Sequence, residues 1–451
     1  MEFLLVSDSR TEKNYKIPIQ DNFIQATDVG KITLPDASHE DKETSVENAR
    51  PLRILDQGFE NTACMVSSIT VMYAVYISSH TILLLTSVIS DGHRGEIRLR
   101  DLPIEDLFRT YVYEDIMHLL IWEALPSSKQ KDNVRTALCQ SAIPPETVVN
   151  VISAFPQDSE TYNMILAGMS AFAFSDSIMG ATRHQQKPMF QGNLVKADKA
   201  IIRTVAYMAA TIALVYCHKR GKKFTNPQPH RSLIGNLLLM MGFIDAESGP
   251  DSKVETCLNK LWILYADSEI TNSTAAALHA GSSLTDPVSC AIAGLVSGFG
   301  PLHGGAIELA YEGFEQIGKV ENVGPFMEAV KAKKARLFGY GHRVLKKRDP
   351  RAALIKEVMP AEDSTNPLLQ IAFEVDRAAR KDPYFVERGL HANVDLYGSF
   401  PYLALGFEKD IITAVIILSR TPGALAHWRE SLVQPVKLWR PQQIYKPTLP
   451  N

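Results

Sequence analysis

Residues 205–216 have the sequence VAYMAATIALVY, which is apolar on every face that a helix would present. A helix of this kind is typical of the interior of a large helical bundle, because only burial on all sides removes so much apolar surface from water. Further segments carry apolar residues at three- and four-residue spacing and are separated by Pro, Gly, Ser, Asp or Asn. These segments cover residues 106–125, 147–155, 162–174, 197–219, 232–242 and 252–264. The pattern predicts a mainly α fold, preceded at residues 1–60 by short strands and loops.

The composition limits the classes of function. The chain has 451 residues, of which 45% are hydrophobic and 22% charged, and its formal net charge is −3. A nucleic-acid-binding protein needs a clear excess of Lys and Arg to neutralise phosphates, which this balance does not supply. The five cysteines are scattered, odd in number and without a Cys-x-x-Cys pair, which indicates reduced thiols rather than zinc or a redox couple.

The termini carry no targeting signal that the sequence pattern reveals. The first residues lack the character of a signal or transit peptide, and the last three are not a peroxisomal address. The cytoplasm is therefore the expected location, with mitochondria as the alternative if a presequence is missing.

Residues 71–89 form an almost uncharged tract, rich in β-branched residues and nearly long enough to cross a bilayer. Ser78, Ser79 and His80 lie at its centre, and neither flank is strongly basic. These features favour a buried hairpin or helix over a membrane span.

His303 stands in the string GFGPLHGGA at residues 298–306, just before a predicted amphipathic helix that starts near Ala306. Unsatisfied N–H groups and the dipole at a helix N-terminus lower the pKa of an imidazole and keep it neutral at pH 7. A neutral imidazole can donate a hydrogen bond to an enolate oxygen. The alternative, that His303 only caps or packs against a Gly-rich loop, has equal support from this string alone.

His342 follows two glycines in FGYGHRV and precedes a cationic run that ends in Asp-Pro-Arg at residues 349–351. A titratable side chain between flexible backbone and concentrated positive charge is suited to holding an anion. A turn that leads into a solvated helix end is the structural alternative.

Asp395 lies among Val, Leu and Tyr in NVDLYGS, so burial would raise its pKa and make it a better base for a proton next to a carbonyl. A helix N-cap is the common alternative for such an Asp. Arg420 and Arg440 stand on segments suited to bidentate capture of carboxylates, although a lone surface arginine is commoner.

Five strings occur in the order and at about the separations seen in citrate synthases, and the chain resembles that family over nearly its whole length. The strings are GPLHGG at 300–305, GYGHRV at 339–344, DPR at 349–351, NVD at 393–395, and SRT through AHW at 419–428. The opening region resembles the N-terminal strand region of the bacterial-type branch. A fungal alkylcitrate synthase-like member is the narrower interpretation.

The resemblance implies roles for three residues. Asp395 as base and His303 as hydrogen-bond donor would together enolise the acyl group of an acyl-CoA. His342 would donate to the ketone oxygen of oxaloacetate as the enolate attacks. The family uses neither a metal nor a permanently bound cofactor, so acyl-CoA is expected as a co-substrate.

The resemblance also implies which cations bind the substrates. Arg351 and Arg420 would hold carboxylates together with Arg440, which would reach across from the partner subunit. Lys346 and Arg388 fall where the family places cations for the phosphates of CoA, which gives the basic run a purpose.

The fold implied by the resemblance is the citrate synthase fold. A large helical domain would cover residues 61–303 and 403–451, and a small helical domain would cover 304–402. The active site would lie in the cleft, and the protein would be an obligate homodimer. Closure of the small domain would exclude water during enolisation. Neither nucleic acid nor a membrane is expected as a partner.

One departure from the family pattern affects the oxo-acid pocket. The family's Asp-His-Glu-x-Asn appears here as DSEIT at residues 267–271, so Ser268 replaces the His that contacts oxaloacetate and Thr271 replaces the Asn. The wall is shorter and loses a donor, which would cost on the order of 1 to 3 kcal/mol of binding unless a water or another substrate group fills the gap.

The second departure is the tract at 71–89, which looks like an insertion where relatives pass almost directly from one string to the next. We hypothesise that it derives from an unspliced intron in the gene model. A cDNA that contains those codons would refute this hypothesis.

The expected activity is condensation of an acyl-CoA with oxaloacetate or a related 2-oxo acid through an enolate, followed by hydrolysis of the thioester to a citrate or alkylcitrate. We favour an alkylcitrate made from a longer acyl-CoA in secondary metabolism, because the pocket is altered and a transit peptide is missing. A housekeeping citrate or 2-methylcitrate synthase is the first alternative. A non-catalytic CoA-binding homologue is the second, but such a protein has no use for the full set of His303, His342 and Asp395.

Overall fold

The structure is a computed structural model that describes residues 2–34, 50–73, 95–180, 182, 188–247, 253–359 and 365–445. The chain divides into two compact units, Met1–Val66 with Arg440–Asn451, and Ser67–Trp439. The predicted boundaries near residues 60, 303 and 403 stay predictions. The prediction of a mainly α fold is confirmed.

The first unit contains two antiparallel strand pairs and one short helix. Strand β1 pairs with β2 from Phe3↔Pro18 to Asp8↔Lys13, and β3 pairs with β4. A small core of Ile17, Val29 and Ile32 lies beneath them. The elements are β1 Phe3–Asp8, β2 Lys13–Pro18, α1 Ala26–Val29, β3 Thr33–Leu34 and β4 Arg50–Pro51.

The second unit begins with a three-stranded antiparallel sheet and is otherwise helical over its described residues. The strands are β5 Thr70–Tyr73, β6 Glu96–Leu99 and β7 Leu102–Pro103. The helices are α2 Ile104–Thr110, α3 Tyr113–Trp122, α4 Ser128–Ser141, α5 Glu146–Ser153, α6 Thr161–Ser175, α7 Ser177–Gly180, α8 Leu194–Lys219, α9 Leu233–Met240, α10 Lys253–Tyr265, α11 Asn272–Gly281, α12 Pro287–Gly298, α13 Ala306–Ile317, α14 Val323–Lys331, α15 Arg351–Glu357, α16 Pro367–Ala379, α17 Pro383–Val386, α18 Asp395–Ala404 and α19 Lys409–Ser431.

Helix α8 is the centre of the helical core. Every residue from Thr204 to Cys217 is buried, as the all-round apolar sequence predicts, and the helix packs against α4, α6 and α19. By length and composition alone α8 and α19 would pass as membrane spans, but 89% and 83% of their most apolar windows are buried inside the fold. Burial on that scale is typical of core helices in a folded domain.

The segment at 106–125 was expected to form a single helix, and the structure divides it into α2 and α3. Tyr111 is extended, with φ −114° and ψ 166°, which ends α2. The side chain of Asp115 then accepts a hydrogen bond from the backbone N–H of Val112 at 3.2 Å and starts α3. Both helices pack against α10, so apolar residues continue across this break and periodicity alone cannot locate the boundary.

Only the first residues of the atypical tract at 71–89 are described. Val71 to Tyr73 belong to β5, which pairs with β6 from Thr70↔Leu99 to Tyr73↔Glu96, and residues 74–94 lie outside the described part of the chain. The backbone N–H of Met72 donates to Glu269 Oε1 at 2.6 Å. The sheet therefore holds the described residues before position 74 next to those after position 95.

Deletion of residues 74–90 is expected to give a folded protein with an unchanged or higher Tm. The loop 91–95, DGHRG, would then join Tyr73 to its strand partner Glu96, and hairpin loops of this length are common. Shortening the loop lowers the entropy cost of closing it by about 1 kcal/mol. Thermal unfolding of the deletion variant and the full chain checks this expectation, and an insoluble deletion variant would contradict it.

Candidate active site

Seven of the predicted site residues lie on five segments of the second unit, and Arg388 and Arg440 lie outside these segments. The five segments are the α10–α11 connection, the α12–α13 loop, the loop from residue 339 to the start of α15, the start of α18, and the middle of α19. Each segment places one to three of these side chains, and glycines in several of the segments allow the close approach of the backbones.

The α12–α13 loop places His303 against the N-terminus of α11. A Cβ on Gly304 would lie 2.5 Å from the carbonyl oxygen of Gly298, so only glycine fits this tight turn. His303 Nε2 accepts a hydrogen bond from the backbone N–H of Ser273 at 3.3 Å and lies 2.8 Å from Ser273 Oγ. Because a backbone N–H can only donate, Nε2 carries the lone pair and the proton is on Nδ1.

The imidazole of His303 is also neutral. Burial, and then the charge of Arg420, lower the pKa of His303 to about 4. The sequence predicted a neutral His303 from the N-terminus of α13, whereas the N–H that contacts the ring belongs to α11. His303 therefore presents a neutral Nδ1–H donor.

The loop at 339–342 places His342 with the opposite tautomer. Gly339 has φ +75°, and a Cβ there would lie 2.6 Å from the Cα of Leu396. His342 Nδ1 accepts from the backbone N–H groups of Val344 at 3.1 Å and Leu345 at 3.0 Å. Burial, and then the charge of Arg351, lower the pKa of His342 to about 4. His342 therefore presents a neutral Nε2–H donor.

Asp395 is the first residue of α18 and lies half-buried. Burial raises the pKa of Asp395 to about 6, although Arg351 and Arg420 act to lower it. Its backbone N–H donates to Asn393 Oδ1 at 2.9 Å, and Asn393 Nδ2 donates to the carbonyl oxygen of Gly341 at 2.8 Å. Asn393 therefore joins the segment that carries Asp395 to the loop that carries His342.

Arg351 is 2% exposed and forms a bidentate pair with Asp349, with Nε–Oδ1 at 2.9 Å and Nη2–Oδ2 at 2.8 Å. Its Nη1 donates to Ser268 Oγ at 3.0 Å. Arg420 on α19 donates from Nε to the carbonyl oxygen of Tyr265 at 3.3 Å. Burial and the neighbouring charge of Arg351 lower the pKa of Arg420, as expected for two cations that share one site.

The positive charge of Arg420 influences the pKa values of the other groups in the site. It acts on the pKa values of His303, His342 and Asp395, and it is coupled to Arg351. The structure therefore brings together five of the predicted residues: a half-buried carboxylate, two neutral histidine donors and two guanidinium groups. This arrangement can remove a proton next to a carbonyl, stabilise the oxygen that becomes negative, and hold an anionic partner.

Comparison with known proteins decides the family. The family model described as "Citrate synthase, C-terminal domain" matches residues 58–442. The chain belongs to the citrate synthase family. It is 43% identical over 448 residues to a citrate synthase-like protein of Phoma sp., a match that covers 99% of this chain and 90% of the relative. It is 34% identical over 453 residues to an alkylcitrate synthase of a fungal species, with 98% and 93% covered.

The fold is the citrate synthase fold. The citrate synthase of Thermoplasma acidophilum, solved as a ternary complex with carboxymethyl coenzyme A and oxaloacetate, is similar with a TM-score of 0.76 and 26% sequence identity. The match covers 88% of this chain and 97% of that structure. The chain is accordingly a citrate synthase-like acyltransferase that joins an acyl-CoA to a 2-oxo acid.

The two substituted positions of the family string keep structural partners. Ser268 is buried and accepts the hydrogen bond from Arg351, so its hydroxyl helps to hold a guanidinium group. Thr271 is the N-cap of α11, and its Oγ1 accepts from the backbone N–H of Thr274 at 3.3 Å. Thr271 thereby preserves the helix N-terminus that presents the Ser273 N–H to His303.

The sequence interpretation missed a buried pair formed by His427 and Asp267, the residue before Ser268. His427 is fully buried, with Nε2 3.2 Å from Asp267 Oδ2 and Nδ1 3.3 Å from Ser67 Oγ. A Cβ on Gly423 would lie 2.4 Å from the carbonyl oxygen of Ala266, so this glycine lets α19 approach the α10–α11 connection. The AHW string that contains His427 was a signal, but nothing in its spacing indicated Asp267 as the partner.

Lys346 and Arg388, the two cations expected to bind the phosphates of CoA, lie on neighbouring stretches of backbone. Lys346 and Arg388 are both exposed, and a Cβ on Gly389 would lie 3.3 Å from the carbonyl oxygen of Lys346, so the two backbones are adjacent. The Arg388 guanidinium lies 4.1 Å from the ring centroid of Tyr384. Arg440 is exposed and belongs to the first unit, and its place in a site stays a prediction.

Proposed function

We propose that the chain condenses an acyl-CoA longer than acetyl-CoA with oxaloacetate and hydrolyses the thioester, giving an alkylcitrate and free CoA. The observations that carry the enolisation step are a carboxylate whose pKa is near 6 and a neutral Nδ1–H donor, and the charge of Arg420 acts on both groups. A base of that pKa is mostly ionised at pH 7 yet more basic than an ordinary Asp.

In the first step Asp395 removes a proton from the carbon next to the thioester carbonyl. The electrons move to the carbonyl oxygen, which accepts a hydrogen bond from His303 Nδ1–H. The Ser273 N–H holds the His303 ring in the required tautomer. Because α11 already fixes this N–H in place, no reorganisation is needed during the reaction.

In the second step the enolate carbon attacks the ketone carbon of the oxo acid and forms the new C–C bond. The ketone oxygen accepts a hydrogen bond from His342 Nε2–H, which stabilises its developing negative charge, and the N–H groups of Val344 and Leu345 fix that tautomer. The proton that Asp395 removed from the acyl group balances the charge of the alkoxide and protonates it. Arg351 and Arg420 neutralise the carboxylates of the oxo acid. Water then cleaves the thioester, which leaves a carboxylate on the product and a thiol on CoA.

Two observations support an acyl group longer than acetyl. Two relatives with the name alkylcitrate synthase, at 34% and 32% identity, match 98% of the chain. The oxo-acid wall carries the short Ser268 in place of a His, which marks the pocket as altered from the usual family pattern. Both observations support a product that differs from citrate.

The test is thiol release by the purified protein with oxaloacetate and acetyl-, propionyl- or hexanoyl-CoA, with product masses recorded. We expect the highest kcat/KM with hexanoyl-CoA and no release when oxaloacetate is omitted. Fastest turnover with acetyl-CoA would favour housekeeping citrate synthesis, and fastest turnover with propionyl-CoA would favour 2-methylcitrate. Binding of CoA without release from any thioester would favour a non-catalytic homologue.

We also propose that the enzyme is a homodimer in which Arg440 completes the partner's site. Asp395→Asn and Arg440→Ala variants, each inactive alone, should regain activity when they are unfolded and refolded together. A mixed dimer then contains one site with an intact Asp395 and an intact Arg440 from the other subunit. If wild-type protein refolded in parallel is active, no regain of activity in the mixture would show that Arg440 acts within its own chain. An Arg440→Ala variant that is active alone would show that Arg440 has no role in the site.

Ser268→Ala is expected to raise the KM for oxaloacetate about tenfold with little change in kcat, because Arg351 loses a hydrogen bond that fixes its guanidinium group. Steady-state kinetics with varied oxaloacetate measures the effect. Ser283→Ala, which removes an exposed hydroxyl on the Ala280 carbonyl, is the matched control and should leave KM unchanged. An unchanged KM in Ser268→Ala would exclude a role for this hydroxyl in oxo-acid binding.

A further inference from the structure

Asp376 on α16 is a buried carboxylate that the two proposed chemical steps do not use. It is 4% exposed, and both of its oxygens accept hydrogen bonds. Tyr340 donates its hydroxyl to Oδ1 at 2.8 Å, and Tyr397 donates its hydroxyl to Oδ2 at 2.8 Å. Arg380 donates from Nε to Oδ1 at 2.9 Å and from Nη2 to Oδ2 at 2.6 Å.

The two tyrosines belong to the two segments that carry the proposed catalytic groups. Tyr340 stands between Gly339 and Gly341 in the loop that ends in His342, and Tyr397 lies in the first turn of α18, which begins at Asp395. Asp376 therefore contacts, through one carboxylate, a side chain from each segment.

The backbones of these segments are also joined directly, on both sides of Tyr340. Gly341 N–H donates to the carbonyl oxygen of His391 at 2.7 Å, and Asn393 N–H donates to that of Gly339 at 3.0 Å. Together with the hydrogen bond from Asn393 Nδ2 to the carbonyl oxygen of Gly341, this contact fixes the register of the two segments. The hydroxyl of Tyr340, on the α16 side, supplies a further fixed point.

We infer that Asp376 is a positioning residue that sets the separation of His342 and Asp395 through Tyr340 and Tyr397. The inference deepens the proposed function and rests on it. Helix α16 contributes no group to the chemistry. Through Asp376 it keeps the base, Asp395, and the ketone donor, His342, at the distance that condensation requires.

The chemistry of the cluster requires a carboxylate at position 376. Two phenol hydroxyls and a guanidinium fork all donate, and only a carboxylate offers enough lone pairs on two oxygens to accept from all of them. Asparagine keeps the shape but places an NH2 donor where one oxygen accepted from Arg380 and from a tyrosine, so that Arg380 contact breaks and the tyrosine hydroxyl must reorient to accept. Burial opposes ionisation of Asp376, but the hydrogen bonds from Arg380, Tyr397 and Tyr340 more than offset it, and the pKa of Asp376 is lowered.

Asp376→Asn is expected to lower kcat about a hundredfold with KM changed less than about threefold, because a displacement near 1 Å between reacting groups costs about that factor. A variant that merely unfolds more easily would lose active protein but not kcat per folded molecule. Active-site titration or a folded-fraction measurement by circular dichroism therefore accompanies the kinetics.

The tyrosine variants test the two tyrosine contacts of Asp376 separately: Tyr397 belongs to the segment of Asp395, and Tyr340 belongs to the loop of His342. Tyr397→Phe should slow the exchange of the acyl α-protons in D2O, measured with malate in place of the oxo acid, because this exchange depends on Asp395. Tyr340→Phe should leave that exchange near wild type and slow condensation with oxaloacetate, because condensation depends on His342. Equal losses in both assays for both variants would contradict the claim that Tyr397 positions Asp395 and Tyr340 positions His342.

The chain offers a matched control cluster. Asp176 accepts from the Tyr207 hydroxyl at 2.7 Å and from Arg203 Nη1 at 3.1 Å, and it is also buried. Asp176→Asn and Tyr207→Phe should lower the Tm to a similar extent as the variants at Asp376 and its tyrosines, without changing kcat. If Asp376→Asn keeps kcat within about threefold of wild type, or if both clusters lower kcat alike, the inference is overturned.

Failure of the proposed function has a different signature. If the wild type releases no CoA from any thioester, the function is wrong, and the positioning claim is then read from the imidazole ¹⁵N shifts of His342. Those shifts should change in Tyr340→Phe and stay constant in Tyr207→Phe. Unchanged shifts in Tyr340→Phe would overturn the positioning role independently of catalysis.

Discussion

Replacement of Asp395 by asparagine is expected to lower kcat for CoA release about a thousandfold, which is the usual contribution of a positioned general base. The amide has the shape of the carboxyl group but cannot take the α-proton. Thiol release measured at saturating substrates gives the effect. The Tm should stay the same or rise, because the raised pKa of Asp395 means that the fold disfavours its ionised form.

The same group sets the pH dependence of the wild type. Asp395 acts only when it is deprotonated, and its pKa is raised to about 6, so kcat/KM should fall tenfold per pH unit below pH 6 and be level above it. The two histidines stay neutral through this range because their pKa values are lowered to about 4. An Asp395→Asn variant with more than a tenth of wild-type kcat, or an acid limb near pH 4, would contradict the role of Asp395.

The resemblance to citrate synthases indicated which residues would lie together in the candidate site, whereas each string alone left a structural alternative open. His303, His342 and Asp395 stand in short strings whose glycines and apolar residues set the local backbone. The raised pKa of Asp395 followed from its apolar neighbours. The helical core was likewise predictable from residues 205–216, since a helix that is apolar all round has to be buried.

The arrangement of protons was not predictable, because it depends on contacts between distant segments. The tautomer of His303 is set by Ser273 on another helix. The pairing of His427 with Asp267 depends on the close approach of α19, which Gly423 permits. Asp376 looks in the sequence like any charged residue of an amphipathic helix, and only the fold gathers its two tyrosines. In each case the decisive atom comes from a segment that periodicity cannot place in space.

Because the two histidines have opposite tautomers, we expect asparagine to preserve more kcat at position 303 and glutamine to preserve more kcat at position 342. Replacement of either His303 or His342 by alanine removes one hydrogen-bond donor and should lower kcat about a hundredfold to a thousandfold. The amide nitrogen of asparagine overlays Nδ1 of histidine, and that of glutamine overlays Nε2. His303 donates from Nδ1, so His303→Asn should exceed His303→Gln about tenfold in kcat, which is the value of one recovered hydrogen bond. His342 donates from Nε2, so His342→Gln should exceed His342→Asn by a similar factor of about ten.

The four amide variants serve as controls for one another, since asparagine and glutamine differ in the same way at both sites. A general effect of side-chain size would favour the same amide at both positions, whereas the tautomers require the preference to reverse. Steady-state kinetics for thiol release, with the folded fraction measured for each variant, decides between these outcomes. If the same amide is better at both positions, at least one tautomer is wrong, and the N–H contacts of Ser273 or of Val344 and Leu345 do not fix the proton during catalysis.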